Sequence, residues 1–177
     1  MVSADRIGKT IAMIKYRGVF DCDGLLRLVY NWLSEYQMEV HESKYKHKVP
    51  DSRGAEDEIA IYGFRRTNAY IKNYITADFH FWDMKDVDVI RNGVKQRMTS
   101  ARMKVNLIPR VEMDFQRRFP NSPFYRGLQD FYHKYIMRKD IENYWEDELY
   151  YHTLKLHQKI KEFLDMETKT NASEGRW

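Results

Sequence analysis

The sequence predicts an α+β fold, an antiparallel β-meander of about five to six strands packed against a long C-terminal amphipathic helix, with a short helix after the first strand. Three observations lead there. Apolar and polar residues alternate with period two over long stretches between positions 39 and 107, as strands with one buried face require. Asn92-Gly93 falls between two such stretches, and a two-residue type I′ hairpin needs the positive φ those residues tolerate. Ile141, Trp145, Leu149, His152, Leu156, Ile160 and Phe163 recur at three- and four-residue steps, which puts them on one helix face. At 177 residues, 43% of them hydrophobic, the chain matches one domain, expected over residues 1–167, with a polar tail at 168–177.

The elements follow in order. Residues 11–20 are apolar and β-branched, a short strand that Asp21-Cys22-Asp23-Gly24 closes. Asp21 or Asp23 can cap a helix in which Leu25, Leu28, Val29, Trp32 and Leu33 form one stripe. Over 39–49 Lys44, Lys46 and Lys48 share a side, the mark of an edge strand protected by charge. The cluster Pro50-Asp51-Ser52-Arg53-Gly54 is a turn, and strands follow at 59–67 and 70–81. In the second of these Ile71, Ile75, Ala77, Phe79 and Phe81 face one way, and Tyr70, Lys72, Tyr74, Thr76, Asp78 and His80 the other. The alternation continues through 87–90 and 94–107, and Pro109 is expected to end the last strand or push it to a bulge or an edge. Asn121-Ser122-Pro123 opens a helix carrying Phe124, Leu128, Phe131, Tyr135 and Ile136 on one face.

Composition excludes several classes. No run reaches the roughly 18 to 20 apolar residues of a spanning helix, and no apolar signal-type segment opens the chain, so a cytoplasmic protein without a membrane span is expected. One cysteine forms no internal disulfide. The net charge of +4 permits an anionic partner without demanding one.

Catalytic signals are weak. No GxSxG, GxxxxGK[ST], GxGxxG or HExxH occurs, and no cofactor is implied. Glu148 with His152, and Asp130 with His133, have metal-compatible helical spacing, but such spacing is common and His152 lies on the apolar stripe. Asp83, Asp86 and Asp88 lack the order of a calcium loop. Cys22 stands at a helix N-terminus, where a thiol pKa can fall, but no base is nearby in sequence and a buried or incidental thiol is the expected reading.

The order of strand, helix, meander and long helix resembles the helix-grip arrangement of START-like proteins. That resemblance implies a sheet curled round the last helix with an apolar cavity between them, which Ile75, Phe79, Phe81, Met103, Trp145 and His152 would line. The first functional expectation is accordingly a non-enzymatic binding or protein-interaction domain, taking an apolar ligand or a protein partner in the cleft or on the helix stripe. The same stripe, from Ile141 to Phe163, allows a homo-oligomer. The alternative is a nucleic-acid-associated protein using a basic, aromatic-rich sheet face of Lys44, Lys46, Arg65, Arg66, Lys72, Tyr74, Arg102 and Lys104. A third is a small enzyme with His80, or with His152 beside Glu148, in the cavity.

Overall fold

In a computed structural model of the chain, residues 5–6, 10–51, 54–91, 94–116, 123–131, 135 and 146–166 are described. They form an antiparallel sheet with helices on one face. The strands are β1 (Asp5–Arg6), β2 (Ala12–Phe20), β3 (Glu39–Asp51), β4 (Gly54–Arg66), β5 (Ile71–Arg91) and β6 (Val94–Met113). Their order is β1-β6-β5-β4-β3, with β2 also on β6, so that β3 to β6 are a meander and β2 returns to pair beside the last strand. The helices are α1 (Cys22–Glu35), α2 (Pro123–Phe131) and α3 (Glu146–Phe163). No helix among the described residues is long and apolar enough to cross a membrane.

Helix α1 starts where the Asp21 carboxylate accepts from the Gly24 amide at 2.9 Å, satisfying one of the donors a helix start leaves unpaired. Its stripe of Leu25, Val29, Trp32 and Leu33 is buried. It ends with Gln37 at φ 55 while the Met38 amide reaches back to the Leu33 carbonyl at 3.2 Å. The end of α3 is built the same way, with Asp165 at φ 52 and the Met166 amide on Lys161 at 2.9 Å. Both helices thus close in Schellman fashion without the usual glycine. Helix α3 lies on β2 and β6 and against α1, burying Leu149, Leu156 and Ile160. The buried Thr153 hydroxyl donates to the Leu149 carbonyl at 2.8 Å, so its polar group is not orphaned.

One expectation is corrected, and for Pro109 one of its alternatives is met. The segments at 70–81 and 87–90 are one strand of 21 residues, bent at a bulge between Trp82 and Lys85 where Asp83 takes φ 55. Gly54, at φ +130, fits against this bend, because a Cβ there would meet the Asp83 backbone at 2.6 Å. Pro109 does not end its strand, since β6 runs on to Met113, but it takes the edge position that was the alternative. The Leu107 carbonyl accepts from Ile11 on the β2 side, and residue 109 has the same parity, so its missing N–H would point that way. There β2 has stopped at Leu107 and β1 begins only at Val111, so among the described residues no ladder bond is lost.

The expected two-residue hairpin is consistent with Arg91 pairing Val94, while residues 92–93 themselves lie outside the described residues. Also outside them are the cap at Asn121-Ser122, His133, Ile136, Ile141, Trp145 and the tail.

Candidate functional site

Alternation along each strand gives the sheet an inner face under α1 and α3 and an outer face turned from those helices. On the inner face Ile75, Phe79 and Phe81 are 0% exposed and Met103 is 2% exposed. A side chain lining a water-sized void would show accessible surface; these show essentially none, and the cleft at these four positions is filled by packed core. His152 lies at the edge of the same layer. Its ring meets Tyr36 edge-on with centroids 4.3 Å apart, and its Nε2 is 3.3 Å from Glu148 Oε1. Its Nδ1 is buried with no hydrogen-bond partner among the described residues. Of the helix stripe, Leu149, Leu156 and Ile160 are spent on the intramolecular core.

The outer face carries a concentration of cations with several rings among them. Following the register, Lys44, Lys46 and Lys48 of β3, Lys72 of β5, Arg102, Lys104 and Arg110 of β6, and Lys15 and Arg17 of β2 point outwards. They outnumber the acids there, Glu39, Glu56, Glu58, Asp78, Glu112 and, at the bulge, Asp83. Arg66 is also outward and exposed, its guanidinium 5.9 Å from the Phe115 ring centre. Arg65, one residue earlier, points to the helices and bonds Glu148 at 3.4 Å, which separates it from the others.

The rings and cations coincide in two clusters. In the first, His41, Tyr62, Phe64 and Tyr74 stack across β3, β4 and β5 with centroid separations of 5.5 to 6.4 Å. The Lys72 ammonium lies 3.6 Å over Phe64 and the Arg110 guanidinium 4.2 Å over Tyr74. Tyr62, Phe64, Lys72, Tyr74 and Arg110 form a shallow recess of about 470 Å³ with Ser43 and Thr76. Burial, and then the Tyr74 hydroxyl's hydrogen bond to Glu112 at 2.5 Å, push the Tyr74 pKa up to about 12, so this group stays a neutral donor. In the second cluster, Trp82 is surrounded by Lys15, Arg17, Arg102 and Lys104 in a recess of about 320 Å³. Arg102 donates to Asp83 at 2.6 Å, while Lys15, Arg17 and Lys104 have no carboxylate partner among the described residues.

Beside the second cluster, on its β4 side, two acids meet a histidine. Glu56 and Glu58 of β4 face His80 of β5, whose Nε2 is 2.7 Å from Glu56 Oε1. Trp82 stacks on the His80 ring at 3.8 Å. Lys48 and Lys44 bond Glu56 and Glu58, and these bonds hold both carboxyls below the usual range.

The lone thiol fits a partly buried, incidental cysteine and not a nucleophile. Burial is the main reason that the Cys22 pKa is pushed up to about 12, with Asp23, Asp57 and Asp21 adding to it, so the helix N-terminus does not make it a nucleophile. Sequence reasoning also missed Lys15, Arg17, Trp82 and Arg110. Alternation in β2 was a signal for the first two. Arg110 lies beyond Pro109, where the strand is expected to end or to reach a bulge or an edge.

A scan against models of known protein families finds no match to this chain, and a search of curated proteins finds none either.

Proposed function

We propose that the chain binds single-stranded nucleic acid on the outer face of its sheet. The observation that carries this reading is the coincidence of rings and cations in the two clusters, on the face that α1 and α3 leave uncovered. Unpaired bases stack on aromatic side chains while cations neutralise the neighbouring phosphates, and a sheet face offers both in register. Phe64 and Tyr74, each 9% exposed, lie under Lys72 and Arg110, which a base would displace towards phosphate. An apolar ligand in a helix-grip cavity has less support, because the inner side chains have no surface left to offer one.

The test is fluorescence anisotropy with short oligouridine and oligothymidine probes, which also separates RNA from DNA. If about four phosphates are neutralised, affinity should fall roughly fiftyfold between 50 and 200 mM salt. Reversing two charges, Arg102→Glu with Lys104→Glu, should weaken it by a further tenfold or more, at unchanged melting temperature. Affinity indifferent to salt and to this double variant would remove the proposal.

A second reading, self-association, has its own observation. On α2, Phe124, Leu128 and Phe131 fall at four- and three-residue steps and are 75%, 45% and 52% exposed. Such a stripe can pack on its own copy about a two-fold axis. Sedimentation should then show a concentration-dependent dimer that Leu128→Glu abolishes; a monomer at all concentrations excludes it.

A further inference from the structure

We propose that Glu56, Glu58 and His80 form a binding site for a divalent transition metal on the outer sheet face, with zinc the best-matched ion. The three side chains each offer one ligand atom, and these atoms lie within 4.8 Å of one another. They are brought there by the sheet register: Glu58 pairs directly with His80, and Glu56 is the next outward residue of β4. Tetrahedral zinc bonds of about 2.0 to 2.1 Å place ligand atoms about 3.3 Å apart. The present separations, from 2.7 Å for His80 and Glu56 up to that limit, bracket this value, so side-chain rotation is enough to close the site.

The donor set decides the class of ion. An imidazole with two carboxylates suits zinc and its neighbours, whereas magnesium and calcium prefer oxygen alone. The His80 ring is held in place by Trp82 stacked on it at 3.8 Å. Two lysines compete for the site. Lys44 and Lys48 are 40% and 59% exposed and extend from the edge strand, so each can release its carboxylate into solvent with little loss. Three protein ligands leave the fourth position facing outwards, open to water or another small donor.

A bound ion would also change the charge of the face beside the Trp82 cluster, adding two positive charges where Glu56 and Glu58 lie. The inference does not rest on nucleic-acid binding, however, because the metal is titrated alone.

The experiment is calorimetric titration of the chelator-treated full chain with Zn²⁺ at neutral pH, backed by the visible spectrum of the Co²⁺ form. The expected result is one ion per chain with micromolar affinity and the intense bands of a tetrahedral site. His80→Ala and Glu58→Gln should each weaken binding by about tenfold or more while circular dichroism stays unchanged, since both side chains lie outside the core. Glu56→Gln serves if either of these misfolds. His47→Ala is the control, because His47 bonds Asp57 at 2.6 Å on the opposite side of the same strand pair. Absence of uptake overturns the proposal. So does uptake that His80→Ala and Glu58→Gln leave intact or that His47→Ala removes.

Discussion

The two faces of β5 are made by neighbouring residues of one strand, and they obey different rules. Ile75, Ala77, Phe79 and Phe81 are fully buried beneath the helices, while Tyr74, Thr76, Asp78, His80 and Trp82 meet cations, carboxylates and one another on the other side. Inside, each side chain is fixed by contact with many apolar neighbours, and its value lies in volume and shape. Outside, position is fixed by the same backbone, but the side chains keep polar ends that can exchange one partner for another. A rigid inner layer therefore holds the chemistry of the outer layer in register without taking part in it.

Substitution separates the two most sharply. Phe79→Ala should destabilise the fold by about 3 to 5 kcal/mol through lost burial and the cavity left behind, measured by urea unfolding. An effect below about 1 kcal/mol would mean that the inner layer is loosely packed. Trp82→Ala should cost no more than about 1 kcal/mol of stability, as a cross-strand contact on a half-exposed face. Its larger effect should be on oligonucleotide affinity, about 1 to 3 kcal/mol if a base stacks there. Equal losses of stability from both variants would erase the distinction between the faces.

The smallest expected effect concerns acid. Glu56 and Glu58 have folded pKa values lowered by hydrogen bonds from Lys48 and His80 and from Lys44. The unfolded chain therefore binds more protons in that range, and the contribution of these pairs to stability is fully present above the unfolded carboxylate pKa. It is lost as pH falls through the lower, folded values. Unfolding midpoints followed through this acid range should converge between the wild type and Glu58→Gln; a constant gap would show that the ion pair is not linked to folding.

Much of this contrast was legible in the sequence, because alternation needs only one strand at a time. The inner set of β5 and the lysine row of β3 follow from parity alone. What was not legible depends on how strands meet. Glu56, Glu58 and His80 come together only in the actual register of β4 on β5, which no local pattern contains. The bulge at Asp83 interrupts the period, so one strand reads as two. Arg65 and Arg66 show the opposite failure: neighbours in a strand cannot share a face, and counting both as one basic surface ignored that rule. The helix ends at Gln37 and Asp165 carry none of the glycine signal by which such ends are recognised.

The bend at Asp83 has one more consequence. Beyond it, residues 87–91 and 94–98 pair with each other, and among the described residues no third strand flanks them. A two-stranded ribbon in water is only marginally stable by itself. Its hydrogen bonds should open independently of the body, exchanging amide protons early and offering Lys95 to a protease while the rest of the sheet remains closed.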